Sequence, residues 1–244
     1  MISIEDLLAG SEEYIVVTDR NRVRYVVLNR PKVRNAMTRE MRVEFAGIIA
    51  AADVDKDVAA IVITGAGEAF SAGVDLKDLV PGAPRFHPDP ATALREASKP
   101  VIAAVDGPCI TGALEIMLSC DFAVATPEAR FADTHCKVGM FPRWGGGTLL
   151  TSAIGVRRAR QMMLTGELIS APTALDWGLI NEVVPRAGLM TRAAELANAV
   201  MSLGDEQPLA FRLHMEMLDA LAMPGATSAI ERQMLARYDG EPNR

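Results

Sequence analysis

A chain of 244 residues, 50% of them hydrophobic and 23% charged, can bury a sizeable core as one large domain or as a domain with a small appendage. A net charge of −6 argues against nucleic acid as a partner, and no apolar stretch reaches the roughly 18 residues that a membrane span needs. The first residues lack the regions of a signal peptide, and Cys109, Cys120 and Cys136 show no CxxC spacing, so reduced thiols and a cytoplasmic, membrane-free protein are expected.

Residues 14–18 and 23–28 are apolar, β-branched runs around the polar 19–22 and read as a hairpin, which Pro31 ends. Thr38 caps a helix running to about Ala52, with Met41, Phe45, Ile48 and Ile49 on one face. Residues 58–65 have the length and branching of a buried strand and run through a glycine turn to Lys77. A proline-rich stretch at 80–90 and a short helix at 91–98 follow. Residues 101–105 then repeat the design, with a buried strand, Gly107, and an apolar helix opened by Gly112 that finishes near Ser119. A further strand at 121–126 completes an alternation that predicts an α/β architecture with right-handed crossovers. From Gly145 the periodicity is almost entirely helical, over 145–154, 156–164, 171–177, 186–203, 208–221 and 227–238. The last two segments carry Met215, Leu218, Leu221, Ile230 and Met234 at helical spacing, a face for the core or for a subunit interface.

The two strand-to-glycine-turn units carry the chemistry. Side by side they can deliver two backbone N–H groups to one point, the construction of an oxyanion hole. Ala72-Gly73-Val74-Asp75 is either a turn that aims the N–H of Val74 into a cleft or an ordinary glycine turn. Gly112 opens a helix whose first N–H groups have no internal partner. Glu115 lies almost one turn further on, amid Leu114, Ile116, Met117 and Leu118. Buried, its carboxyl would titrate high and suit acid/base work; alternatively it joins Thr111 and Ser119 in a solvated polar stripe. His135 is either a second acid/base or a hydrogen-bonded strand-end histidine. Gly65-Ala66-Gly67 lacks the third glycine of a dinucleotide fingerprint, because position 70 is Phe70. Ser71 follows Ala69-Phe70, which breaks the hydrolase elbow pattern. No histidine shows metal-ligand spacing, so no metal site is expected.

Several ordered motifs together resemble the crotonase superfamily, the enoyl-CoA hydratase/isomerase fold, over residues 15–222. They are Asn29-Arg30-Pro31-Lys32-Val33-Arg34-Asn35-Ala36-Met37, residues 69–77, 99–105 and 112–115, Cys120-Asp121, residues 139–146, Thr165-Gly166, Ala174 and Gly178-Leu179-Ile180. The resemblance implies a ββα spiral core over 1–185 and a C-terminal helical trimerisation region over 186–244, assembled as a homotrimer or a dimer of trimers. It implies an acyl-CoA thioester as substrate, with coenzyme A as part of that substrate and no separate cofactor. Val74 and Gly112 would hold the thioester oxygen. Lys32, Val33 and Arg34, with Ala72, Asp75, Leu76 and Lys77, fall where the family contacts coenzyme A, and basic Lys32, Arg34 and Lys77 suit its phosphates.

Enoyl-CoA hydratases of the family use two glutamates. Glu115 matches the first, and His135 stands at the position of the second. The implied reaction is the reversible hydration of a trans-2-enoyl-CoA to a 3-hydroxyacyl-CoA, with Glu115 and His135 sharing the proton work. The alternatives are another reaction of the superfamily, isomerisation or decarboxylation, or an acyl-CoA-binding protein without catalysis. Trp144, after the Pro142-Arg143 turn, is expected to bound the acyl pocket.

Overall fold

A computed structural model of the chain describes residues 2–79 and 87–222, with side chains to residue 218. Most of the proline-rich stretch and the helix expected at 227–238 lie outside the described residues. A short helix, α1 (Ile4–Leu8), opens on Ser3, whose hydroxyl and backbone exchange bonds with Asp6 in a capping box. The hairpin forms as β1 (Ile15–Arg20) and β2 (Val23–Leu28), turning on Asn21 and Arg22, both with φ above +50° as a tight primed turn requires. The hydroxyl of Thr38 accepts the Met41 N–H and starts α2 (Arg39–Val54), which buries Met41, Phe45, Ala46, Ile49 and Ala52.

The two predicted central strands are β3 (Ala60–Gly65) and β4 (Val101–Val105), every residue of both buried. They pair in parallel with Ile61 opposite Val101 and Ile63 opposite Ala103. Strands buried on both faces read as continuous apolar runs, which is how the sequence displayed them. Between and after them come α3 (Pro90–Glu96), β5 (Pro108–Ile110), α4 (Gly112–Leu118), β6 (Phe122–Ala125) and β7 (Arg130–Ala132). Then follow α5 (Gly146–Thr165), β8 (Ile169–Ser170), α6 (Ala171–Trp177), β9 (Glu182–Val183), α7 (Leu189–Glu206) and α8 (Pro208–Ala222). Gly155 interrupts α5 with φ +77°, so the two helical segments expected at 145–154 and 156–164 meet at a break.

Among the described residues one sheet has the order β1-β2-β3-β4-β6-β9, parallel except for the hairpin. A second, three-stranded sheet has the order β5-β7-β8. The large sheet is covered on both faces. Ile61 and Ile63 pack into a core with Phe45, Phe70 and Leu114, whereas Val62, Ile102 and Val124 pack with Leu189, Met190 and Ala193 of α7. On α8, Leu209, Leu213, Met217 and Leu218 are exposed in the single chain. β5, β7, β8 and β9 depart from the sequence reading, which placed no strand there. At two or three residues each they are too short to show alternation and exist because a neighbour supplies the ladder.

Candidate active site

The parallel β3–β4 pair delivers both glycine turns to the same edge of the sheet. Beyond β3 the chain continues the pairing, with the Ser71 N–H on the Pro108 carbonyl at 3.0 Å and the Ile110 N–H on the Ser71 carbonyl at 3.1 Å. Gly73 then adopts φ +87° with no room for a side chain: a Cβ would lie 2.7 Å from the Ile110 carbonyl oxygen and 3.1 Å from the Gly112 nitrogen. Opposite it, Thr111 holds φ +57°, a costly conformation for a β-branched residue. Bonds to the strand end stabilise it. The Thr111 N–H donates to the Ala132 carbonyl (2.8 Å), the Thr111 hydroxyl accepts the Thr134 N–H (3.0 Å), and the two hydroxyls stand 2.6 Å apart.

This turn opens α4, and a Cβ on Gly112 would sit 3.6 Å from the Val74 nitrogen. Met37 takes the carbonyl of Gly73 and the N–H of Asp75, so the N–H between them points the other way. Among the described residues neither the Val74 nor the Gly112 N–H meets an acceptor. Two donors close together with nothing to donate to are what a developing oxyanion requires.

Glu115 is buried, with 2% of its surface exposed, so the solvated-stripe reading does not hold. Ser119 turns its hydroxyl back onto the Glu115 carbonyl at 2.8 Å. One carboxylate oxygen, Oε1, accepts the Trp144 N–H at 2.8 Å and the Gly146 N–H at 3.0 Å. The other, Oε2, lies 3.6 Å from Nε2 of His135, too far for a direct hydrogen bond and near enough for one water to touch both. Burial pushes the Glu115 carboxyl up to about 7, against the downward pull of His135 and the two N–H groups. For His135, burial alone would lower the imidazole. A hydrogen bond to Asp133 and the charge of Glu115 outweigh it and leave the ring above the usual histidine value. Asp133 meets this ring with Oδ1, 2.9 Å from Nδ1.

Val74, Gly112, Glu115 and His135 therefore line one cavity of about 150 Å³, together with Ala72 and Leu76. Trp144 also lines it, with its ring 3.0 Å from where a Gly112 Cβ would be. Lys32, Val33, Arg34 and Lys77 lie outside that cavity, on the exposed surface beside it. The Arg34 carbonyl accepts the Ala72 N–H at 2.8 Å, which joins segments 32–34 and 72–77. Asp75 is engaged within the protein, 3.1 Å from the Arg30 guanidinium and accepting the Lys77 N–H; the Arg30 bond holds its carboxyl below the usual range.

Sequence reasoning passed over Asp133 and the N–H groups of Trp144 and Gly146. The signals were present as an aspartate two residues before a candidate histidine and as the run Gly145-Gly146-Gly147, which permits close backbone approach. Among the described residues no cluster of histidine, cysteine and carboxylates could hold a metal ion, and no helix is long and apolar enough to cross a membrane.

The chain is similar to known proteins along most of its length. The model of the enoyl-CoA hydratase/isomerase family matches residues 18–239. A probable peroxisomal enoyl-CoA hydratase 1 of Arabidopsis thaliana is 33% identical over 218 residues, 87% of this chain and 82% of the relative. The short-chain-enoyl-CoA hydratase of Clostridium acetobutylicum is 33% identical over 84% of this chain and 80% of its own. Among solved structures, an enoyl-CoA hydratase from Mycobacterium tuberculosis H37Rv superimposes with a TM-score of 0.84 at 34% identity, over 94% of this chain and 100% of that one. One from Mycobacterium avium gives 0.81 at 38% identity, over 93% and 97%. With the family model spanning most of its length and the fold shared along nearly all of it, the chain belongs to the enoyl-CoA hydratase/isomerase family, within the crotonase superfamily.

Proposed function

We propose that this protein is a lyase that reversibly adds water to a trans-2-enoyl-CoA, giving a 3-hydroxyacyl-CoA. The observation that carries this is the buried Glu115 carboxyl, titrating near 7, with an imidazole 3.6 Å away and two unclaimed N–H groups on the same cavity. The thioester oxygen accepts from Val74 and Gly112. Water held between Glu115 and His135 forms its bond to C3 as its proton passes to the pair. The electrons of the C2=C3 bond move onto the thioester oxygen as an enolate, and C2 then takes a proton from the pair, so one water is added across the double bond. The enolate is where charge accumulates, so the two N–H donors act mainly in the transition state.

Lys32, Arg34 and Lys77 are the proposed phosphate contacts. Val33, Ala72, Asp75 and Leu76 form the rest of the edge along which coenzyme A would lie, with coenzyme A as substrate only and no separate cofactor. The exposed apolar residues of α8 support a homotrimer or dimer of trimers, which sedimentation would measure. The free thiols of Cys109, Cys120 and Cys136 support a cytoplasmic setting.

The test is loss of the conjugated-thioester absorbance of crotonyl-CoA and of a long-chain trans-2-enoyl-CoA. Turnover should fall by up to about 10⁴-fold in Glu115→Gln, the upper end of the scale of a general acid/base. Tight binding with no turnover at any chain length would instead identify an acyl-CoA-binding protein. A displaced double bond or released carbon dioxide would identify isomerisation or decarboxylation.

A further inference from the structure

Glu115 and His135 stand beside a further buried carboxylate, which the hydration scheme leaves unused. Asp133 follows β7 directly, two residues before His135, and its side chain is 2% exposed against 7% for the imidazole. Its Oδ1 accepts the backbone N–H of His135 at 3.0 Å and lies 2.9 Å from the ring Nδ1. An oxygen already accepting one N–H is an acceptor atom, so the proton in the second contact sits on Nδ1. That leaves Nε2 as the nitrogen free to exchange a proton, and Nε2 is the one turned toward Oε2 of Glu115 at 3.6 Å.

We propose that Asp133 is a positioning residue. It fixes His135 as the Nδ1–H tautomer and favours its charged form, so that Nε2–H delivers the proton to C2 while Glu115 takes the proton from water. This rests on the hydratase reading above and assigns the two proton roles within it. The protons balance: Nε2 gives one to C2, Oε2 gains one from water, and Oε2 then returns it to Nε2 through the next water to enter the 3.6 Å gap. The Nδ1 proton stays on the ring throughout, donated to Asp133.

Three facts support the assignment. The charged groups facing the imidazole are Glu115 from α4, Asp133 from the end of β7 and Arg143 from the segment before α5. Two carboxylates against one guanidinium favour the imidazolium, and the net effect on the ring is upward in spite of burial. The residue between the pair, Thr134, is tied to Thr111 by its N–H and its hydroxyl. The same backbone that places the Gly112 N–H therefore also places the Asp133–His135 pair.

The experiment uses the full-length protein labelled with ¹⁵N-histidine. Two-bond ¹H–¹⁵N spectra distinguish the tautomers of His87, His135 and His214, and His135 is assigned by the signal missing from His135→Gln. The expected wild-type result is a neutral Nδ1–H form of His135 and a titration midpoint for that ring above the usual histidine value. In Asp133→Asn the midpoint should drop by about a unit, the usual scale for a lost neighbouring charge. Crotonyl-CoA turnover should fall about 10²-fold or more with KM within about threefold, and the alkaline limb of the rate profile should move to lower pH. A wild-type Nε2–H tautomer overturns the proposal. So does a folded Asp133→Asn protein whose His135 midpoint is unmoved. If Asp133→Asn does not fold, the wild-type tautomer decides alone. A wild-type protein that hydrates no enoyl-CoA would end the hydratase reading, while the spectra would still show whether Asp133 governs the ring.

Discussion

On its Val74–Gly112 side the cavity presents backbone N–H groups aimed by turns; on its Glu115–His135 side it presents buried side chains held by other groups. The first side depends on φ angles and on the absence of a Cβ. The second depends on charge and on hydrogen-bond partners. Two ways of holding electrostatic groups therefore meet in one pocket, and substitutions should separate them: backbone donors tolerate a change of their own side chain but not of a neighbouring glycine, whereas the carboxylate and imidazole tolerate neither removal nor loss of their partners.

After removal of the Glu115 carboxylate itself, the largest break should come at Gly73. Alanine there meets both a positive φ and a carbonyl oxygen 2.7 Å from its Cβ, so the turn must shift and carry the Val74 N–H with it. Loss of one oxyanion donor costs on the order of 10²–10³-fold in turnover, and steady-state rates of Gly73→Ala with crotonyl-CoA would measure it. On the opposite side, Gly146→Ala places a Cβ 2.9 Å from the Glu115 carboxylate and should displace it, with a loss of about 10²-fold at nearly unchanged KM.

Changing pH should discriminate further. Glu115 must be ionised to accept a proton, so the rate should fall about tenfold per unit as pH drops below its value of about 7. A flat profile from pH 5 to 7 would remove Glu115 as the base. The smallest effect belongs to Val74→Ala, which keeps its N–H and should stay within about threefold of wild type. A large loss there would mean that the Val74 side chain matters as well as its backbone.

Much of the backbone side was legible in the sequence because it is local. The apolar runs of β3 and β4, Gly73 after the first and Gly112 after the second carry their conformational instructions within a few residues, as does Thr38 at the start of α2. The side-chain side was half legible. Glu115 amid apolar neighbours announced a candidate, but its burial is settled by residues 29 and 31 positions later, when Trp144 and Gly146 close over it. Asp133 was hidden for a different reason: a polar residue at a strand end is commonplace, and only the orientation of the His135 ring gives it a task. β5, β7, β8 and β9 were invisible because their pairing partners, rather than their own residues, make them strands.

The contact between Gly146 and Glu115 has a consequence for the timing of order in this protein. A glutamate free in solution loses roughly 1.5–2 kcal/mol of rotamer entropy when its side chain is fixed. Here the side chain is wedged against a residue without a Cβ and tied by two N–H groups, so that freedom is surrendered once, when the chain folds. No part of it remains to be lost as substrate arrives, and the carboxylate meets each enoyl group already aligned for the proton it has to take.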